Sequence, residues 1–177
     1  MTVRIAAFDI SSKLGWAAWD GAAPRPVFDM KPVVGFQYDA GSMLELYRKW
    51  LGTWLRAYQP ELLVIEAWIV AAHGDADTSA KLIQLSGFTQ WACKTLGVAT
   101  VLVPASTWRK EVYGTGRGTS AEWKRKAKER VRSYGMSPPD DNAAEAVLIL
   151  EYAIKRYGKT VAPWLIGGSP AHGGLLA

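Results

Sequence analysis

The sequence contains one cysteine, Cys93, and only two histidines, His73 and His172. A single cysteine cannot form a disulfide within one chain. Zinc sites usually take three or four ligands, commonly from cysteine and histidine, so a zinc site is not expected. A metal in this protein would instead be held by oxygen ligands, which favours Mg²⁺ or Mn²⁺. We interpret His73 and Cys93 as incidental, because two histidines so placed do not form a Ser/His/Asp arrangement.

Long apolar runs are also missing from the 177 residues. No uninterrupted run approaches the roughly 20 residues that a membrane-spanning helix needs. The first residues show no charged region leading into a long apolar segment, so we expect no signal peptide, a cytoplasmic location and no membrane contact. Forty-nine per cent of the residues are hydrophobic and nine residues are tryptophan, which predicts a folded globular domain.

The order of apolar segments and turns predicts an α/β domain. Three early strands, within 3–10, 14–19 and 32–38, are joined by short links and predict an antiparallel meander. Continuous apolar runs at 62–67 and 98–103 predict two buried parallel strands. The expected fold is therefore a mixed five-stranded sheet flanked by helices. The predicted helices cover 42–59, 78–96, 119–134 and about 140–157.

Two of these helices begin with a capping-box pattern, in which Ser or Thr is followed three residues later by Glu. The pairs are Ser42 with Glu45 and Thr119 with Glu122. Residues 1–158 are predicted to form one domain. The segment 159–177 is rich in glycine and proline and is expected to be a poorly ordered tail.

Two acidic residues interrupt apolar strands. Asp9 stands in Ala-Ala-Phe-Asp-Ile and Glu66 in Leu-Val-Ile-Glu-Ala. An ionised carboxylate inside such a strand is costly unless it is paired or binds a cation. Acids at the ends of two strands can converge at one edge of a sheet. Each acid could equally stand just past its strand, half solvated or capping a neighbouring segment.

A third acidic group begins the last predicted helix. Asp141 and Glu145 are four residues apart and therefore share one face of a helix. The same stretch also fits an ordinary helix start, with Asn142 as cap and Glu145 three residues later. Small residues surround Glu145 and would let this helix approach the sheet closely: Ala143, Ala144 and Ala146.

Clustered carboxylates suit phosphodiester hydrolysis. Mg²⁺ prefers oxygen ligands, often carboxylates together with substrate phosphate and water. Two ions about 3.5–4 Å apart can activate a water and stabilise the leaving oxygen, which requires roughly three or four carboxylates from separate segments. The candidate metal ligands and catalytic acids are Asp9, Glu66, Asp141 and Glu145, with Asp140 as the alternative to Asp141.

The net charge of +5 is concentrated in one segment. Residues 108–132 contain nine Lys or Arg and three Glu, an excess larger than that of the whole chain. Such concentration is expected for contact with a phosphate backbone, although many charged helix faces are only solvated. Trp108, Tyr113 and Trp123 interleave with the charges and favour binding, or they belong to the core. The glycine loop 114–118 lacks the Gly-Lys-Ser/Thr ending of a nucleotide-binding loop, and no small organic cofactor is expected.

Five segments, in order along residues 3–157, resemble the RuvC-type Holliday-junction resolvases of the RNase H-like superfamily, especially the variant of phage and prophage members. The segments that carry the resemblance are Phe-Asp9-Ile-Ser-Ser-Lys-Leu-Gly15-Trp, Leu-Val-Ile-Glu66-Ala, Thr78-Ser-Ala-Lys-Leu82 with Gly87, the loop and basic helix from Pro104 to Lys124, and Asp140-Asp-Asn-Ala-Ala-Glu145-Ala. The first resembles the opening hairpin of the family and the last its terminal acidic helix.

The resemblance implies an RNase H-like fold and a homodimer that cuts four-way DNA junctions symmetrically with Mg²⁺, for which Mn²⁺ could substitute. Asp9, Glu66 and the last two acids would hold the metal. Lys124 would lie near the scissile phosphate, and Trp68 would face the junction centre, where an aromatic ring can stack on a base. The residues expected to contact DNA are Trp68, Arg109, Lys110, Arg117, Lys124, Arg125, Lys126 and Lys128.

Three other functions compete with this interpretation. The family usually has Asp where this chain has Glu145, and Asn142 stands at another acidic position, which motivates a DNA-binding homologue that does not cleave. An RNase H-like nuclease for RNA–DNA hybrids would use the same acids. A phosphotransferase of the actin or sugar-kinase type also opens with an Asp-bearing hairpin, but it needs two such lobes, and 177 residues are too few.

Overall fold

The computed structural model describes residues 3–33, 39–67 and 76–167. None of the helices in these ranges is long and apolar enough to cross a membrane. The elements are, in chain order, β1 (Ile5–Asp9), β2 (Lys13–Trp19), β3 (Val27–Pro32), α1 (Ala40–Tyr58), β4 (Leu62–Ala67), α2 (Ala76–Thr95), β5 (Ala99–Pro104), α3 (Ala105–Tyr113), α4 (Ser120–Ser133), α5 (Asp141–Tyr157) and α6 (Pro163–Gly167).

The five strands form one mixed sheet in the order β3-β2-β1-β4-β5. The pairs β1–β2 and β2–β3 are antiparallel, whereas β1–β4 and β4–β5 are parallel. The predicted meander with two added parallel strands is therefore confirmed. In β1 and β4, Phe8 lies opposite Ile65, so the next residues, Asp9 and Glu66, end neighbouring strands at the same edge.

Alternate residues of the central strand face two different cores. Ile5 and Ala7 pack with α5 and with parts of α3 and α4, whereas Ala6 and Phe8 pack with α1 and α2. Side chains alternate between the faces of a strand with a period of two. Asp9 therefore continues the row that is covered by α5. Glu66 does the same in β4, because it follows Val64 on that face.

The third strand was predicted too late in the chain. The structure places β3 at Val27–Pro32, and residues 34–38 lie outside the described part. As the edge strand of the sheet, β3 carries exposed positions such as Val27 and Asp29, and it lacks the continuous apolar run of a buried strand. An edge strand packs on fewer neighbours, so its sequence pattern is weak.

The start of α1 also differs from the prediction. Its N-cap is Asp39, whose carboxylate accepts a hydrogen bond from the backbone N–H of Ser42 at 2.9 Å. Glu45 instead pairs with Arg48 one turn later. The capping-box prediction was wrong here, because an aspartate three residues earlier satisfies the same orphan N–H group. The second predicted capping box, at Thr119 in α4, is confirmed.

Two short helices were not predicted. α3 directly follows β5 and buries Trp108 and Val112. α6 lies in the segment expected to be a poorly ordered tail, and Trp164 is buried there with its ring 5.3 Å from that of Trp19. An indole supplies enough apolar surface for this short helix to pack on the core, and the poorly ordered tail stays a prediction. The domain boundary at 158 stays a prediction, and 168–177 lie outside the described residues.

Candidate active site

Asp9 is buried at the carboxyl end of β1, with 8 % of its surface exposed. Its pKa is raised well above the ordinary value, chiefly by burial and then by the negative charges of Glu66 and Glu145. A positive charge on Arg109 acts in the opposite direction. Asp9 thus lies within an acidic group whose charges are close enough to repel one another.

Glu66 is fixed by a residue of α3. The indole Nε1 of Trp108 donates a hydrogen bond to Oε2 of Glu66 at 2.7 Å. Trp108 is fully buried, so its ring position is set by packing. The pKa of Glu66 is raised by burial, while the bond from Trp108 lowers it. Trp108 therefore restrains one carboxylate oxygen of Glu66.

Helix α5 reaches these acids because its first turn lies against β2. Gly15 is opposite Asp9 in the sheet, and a Cβ atom on Gly15 would overlap the backbone carbonyl of Asn142. The alanines next to Glu145 are fully buried, as their size predicted, at positions Ala143, Ala144 and Ala146. Only a glycine permits backbone contact this close at that position.

The two aspartates at the start of α5 have different environments. Asp140 is the N-cap, and its Oδ1 accepts the backbone N–H of Ala143 at 2.9 Å. Asp141 pairs with Lys124 at 2.7 Å and contributes negative charge at Asp9. Burial would raise the pKa of Asp141, but the bond from Lys124 holds it below its ordinary value. This geometry supports Asp141 rather than Asp140 as the member of the acidic group.

Glu145 is paired with an arginine inside the group. Nη2 of Arg109 donates to Oε1 of Glu145 at 2.9 Å, and the Arg109 side chain is only 19 % exposed. The pKa of Glu145 is nevertheless raised, because burial outweighs the positive charge of Arg109. Arg109 was predicted as a DNA contact, but its guanidinium lies among the carboxylates.

The other predicted DNA contacts lie mostly on the surface of α3, α4 and the loop between them. Exposed side chains are Lys110, Arg117, Lys124 and Arg125, and half-buried ones are Lys126 and Lys128. The ammonium of Lys126 lies 4.8 Å from the ring centre of Trp123. Trp108 and Trp123 are themselves buried, which fits the core alternative. Trp68 lies outside the described residues.

The chemistry of the acidic group fits a hard divalent cation, since its donors are carboxylate oxygens. The mutual repulsion among Asp9, Glu66 and Glu145 indicates buried negative charge that a cation would neutralise. In the described ranges, however, no three acidic, histidine or cysteine side chains are arranged so that they could hold one ion. Two of the four carboxylates are instead occupied by Arg109 and Lys124.

Comparison with known proteins identifies the fold. No protein-family model matches the chain, and no curated protein matches its sequence. A structure of Thermus thermophilus RuvC in complex with a Holliday junction substrate matches with a TM-score of 0.66 and 16 % identity, over 89 % of this chain and 98 % of that one. The fold is RNase H-like, as in RuvC.

Two further solved structures have the same fold. A second structure of Thermus thermophilus RuvC matches with a TM-score of 0.60 and 15 % identity, over 86 % of this chain and 95 % of that one. The yeast mitochondrial Holliday junction resolvase Ydc2 matches with a TM-score of 0.57 and 10 % identity, over 94 % of this chain and 80 % of that one. At such identities the similarity establishes the fold alone.

The contribution of α3 to this site was not predicted from the sequence. Consecutive residues of that helix, Trp108 and Arg109, hold Glu66 and Glu145. One signal was available in the sequence. Trp108 and Val112 are four residues apart after Pro104, which is the spacing of one face of a short helix.

Proposed function

We propose that the protein is a Mg²⁺-dependent endonuclease that acts on four-way DNA junctions, such as those formed in recombination and repair. The observation that carries the proposal is that the negative charges of Glu66, Glu145 and Asp141 all act on the buried Asp9 at the carboxyl end of β1. A basic surface on α3 and α4 adjoins this group. The RNase H-like fold and its similarity to structures of junction resolvases support the same reaction class.

The metal would be held by Asp9 and Glu66 together with acids of α5, Asp141 and Glu145. Mg²⁺ bound to carboxylates polarises a phosphoryl oxygen and lowers the pKa of a bound water, and Mn²⁺ commonly replaces it. Within the chain, Trp108 keeps one oxygen of Glu66 in place by its hydrogen bond. That hydrogen bond leaves the second carboxylate oxygen of Glu66 available as a metal ligand.

Lys124 is the residue we assign to the scissile phosphate. Its ammonium is half-exposed and pairs with Asp141, and this hydrogen bond is the main reason that its pKa lies above the ordinary value. A lysine that stays protonated at the rim of the site can exchange Asp141 for a phosphate oxygen and stabilise developing negative charge. Lys110, Arg117 and Arg125 would contact the backbone farther out.

We also propose that the protein acts as a homodimer. Two sites related by a twofold axis would cut two strands of a symmetric four-way junction at equivalent positions. A DNA-binding homologue that does not cleave is the second candidate, and the Arg109–Glu145 pair favours it because a cation already occupies one of the acids.

The decisive experiment is cleavage of a labelled synthetic four-way junction, beside linear duplex DNA and an RNA–DNA hybrid, with Mg²⁺, Mn²⁺ or EDTA. We expect symmetric nicking of the junction with either metal and none with EDTA. Asp9→Asn should reduce the rate by on the order of 100-fold or more. Asp29→Asn, an exposed aspartate of β3, is the matched control and should cleave normally.

Other results would replace the proposal. Tight junction binding without a cut in either metal would favour the non-cleaving homologue. Preferential cleavage of the RNA–DNA hybrid would keep the metal-dependent nuclease and discard the junction as its substrate. Equal activity of Asp9→Asn and the wild type would discard the site itself.

A further inference from the structure

Arg109 is the more buried of the two cations that pair with the acidic group. Its Nη2 donates to Glu145 at 2.9 Å, and its charge also lowers the pKa of Asp9 and of Glu66. One guanidinium thus interacts with three buried or largely buried carboxylates. An arginine is always protonated in proteins, so this positive charge is permanent.

The position of Arg109 is fixed by two aromatic rings. Its guanidinium carbon lies 5.0 Å from the ring centre of Trp108 and 5.4 Å from that of Trp123. Both tryptophans are buried. The Nε atom of Arg109 is buried without a hydrogen-bond partner among the described residues, so packing rather than a full set of hydrogen bonds holds the side chain. Guanidinium groups stack on aromatic faces in this manner.

The second ion pair of the site is different. Lys124 and Asp141 have side chains that are 50 % and 24 % exposed, against 19 % and 9 % for Arg109 and Glu145. An exposed lysine pair is weak and exchanges readily with solvent ions. The outer pair can therefore open when phosphate or metal arrives. The inner pair is shielded from water and held by the tryptophans.

We propose that Arg109 is a resident counter-ion of the acidic group, which neutralises Glu145 and lowers the affinity of the DNA-free site for divalent metal. This inference rests on the proposed metal-dependent function. A fixed positive charge repels a divalent ion placed near the same carboxylates, and the repulsion is strong where water is excluded. Arg109 is a positioning residue, because it acts through Glu145 and its neighbours. Because Glu145 is paired with Arg109 in the DNA-free site, the first ion would be held by Asp9 and Glu66, and Glu145 would become a ligand only when that pair opens.

The test is direct titration of the DNA-free protein with Mn²⁺, in which free ion is counted by electron paramagnetic resonance. Arg109→Gln should bind Mn²⁺ more tightly than the wild type, by on the order of tenfold. Lys110→Gln is the matched control, because Lys110 is the next residue of α3, is exposed and forms no ion pair with a described residue. Its affinity should stay within about twofold of the wild type.

A double-mutant cycle of Arg109 and Glu145 tests the inference without relying on one variant alone. Glu145→Gln leaves Arg109 unpaired among the remaining acids, so Mn²⁺ binding should weaken by on the order of tenfold. The double variant Arg109→Gln/Glu145→Gln has the same net charge at the site as the wild type, and its affinity should return towards the wild-type value. A purely structural role of Arg109 would predict weaker binding in every variant that lacks it.

The outcomes separate this inference from the proposed function. If the wild type binds Mn²⁺, Asp9→Asn does not, and folded Arg109→Gln binds no more tightly, the counter-ion role is overturned while the metal site stands. If Arg109→Gln does not fold, the double variant provides the same test. A Mn²⁺ affinity of the double variant as weak as that of Glu145→Gln alone would overturn the counter-ion role of Arg109. If neither the wild type nor Arg109→Gln binds Mn²⁺ through Asp9, both proposals fail.

Discussion

Helix α5 carries two buried glutamates, Glu145 and Glu151, that each pair with an arginine. Their pKa values are shifted in opposite directions. Glu145 receives one hydrogen bond from the described side chains, from Arg109, and its pKa is raised because burial dominates. Glu151 is fully buried, and burial alone would raise its pKa as well. Bonds from neighbouring donors outweigh burial and hold the pKa of Glu151 below its ordinary value; the donors are Arg130, Lys155 and Tyr134.

The difference lies in how completely each charge is satisfied. Glu151 accepts four hydrogen bonds of 2.7–3.1 Å from three side chains, so both of its oxygens are used. Glu145 faces Asp9 and Asp141, which repel it. A satisfied buried charge serves stability, whereas an under-satisfied one is typical of a binding or catalytic site. The first turns of α5, with Glu145, thus belong to the candidate site, whereas the later turns, with Glu151, stabilise the fold.

The largest expected effect is the loss of stability in Glu151→Gln. The amide cannot balance the charges of Arg130 and Lys155, and breaking a buried ion pair costs about 3 kcal/mol of the free energy of unfolding. Urea unfolding measures this change. Glu129→Gln removes the exposed pair with Arg125 on α4 and should cost less than about 0.5 kcal/mol. Equal losses of unfolding free energy in Glu151→Gln and Glu129→Gln would contradict a special stabilising role of Glu151.

The next effect concerns only the Glu145 end of α5. Gly15→Ala places a methyl group against the backbone of Asn142 and should cost about 2 kcal/mol of unfolding free energy. Displacement of the acids by about 1 Å should also slow cleavage by on the order of 100-fold. Thermal unfolding and the junction assay test both.

A glycine in an open position is the control for this change. In α2, no described atom lies within 4 Å of a Cβ built on Gly87, so Gly87→Ala should stabilise the helix by about 0.5 kcal/mol and leave cleavage intact. If Gly15→Ala were as harmless as Gly87→Ala, close approach of α5 to β2 would not be what assembles the site.

A smaller effect of opposite sign is expected for Asp9→Asn in the absence of metal. The substitution removes a buried charge that Glu66 and Glu145 repel, so the free energy of unfolding should rise by about 1 kcal/mol. Thermal unfolding in EDTA measures it, and Asp29→Asn should change stability by less than about 0.5 kcal/mol. Destabilisation by Asp9→Asn would indicate that the acid is structurally required, like Glu151.

The smallest expected effect is on how the free energy of unfolding falls at acidic pH. Because the pKa of Glu151 is depressed on folding, its contribution is complete above the unfolded pKa of about 4.3 and is lost as pH falls through the folded pKa. The wild type should therefore lose more stability than Glu151→Gln below that pH. Unfolding free energies measured from neutral pH to pH 3 test this, and parallel curves would contradict it.

Much of the fold was predictable because it follows from local pattern. Continuous apolar runs identified β4 and β5, and the capping box of Thr119 and Glu122 marked the start of α4. The edge strand β3 was misplaced and α3 was missed, because both are short and bury only a few side chains. A nine-residue helix gives about two and a half turns, which is too little for a clear helical period.

The acids of the candidate site were recognisable in the sequence, whereas the position of Arg109 among them was not. Asp9 and Glu66 were recognisable because a charge within an apolar strand is conspicuous in the sequence. Arg109 looked like Lys110 and the other members of a basic segment. Their neighbours in sequence are alike, yet Lys110 is exposed and Arg109 is enclosed by Trp108 and Trp123.

The sequence by itself determined which strands are buried, which positions share a face and where the acids interrupt them. These properties depend on residues within a few positions of each other, so they can be read locally. Only the tertiary structure decided which cation meets which carboxylate. Arg109 and Glu145 are 36 residues apart and meet because α3 and α5 pack on the same face of the sheet. Electrostatic energy depends on distance in space and on exclusion of water, and packing sets both.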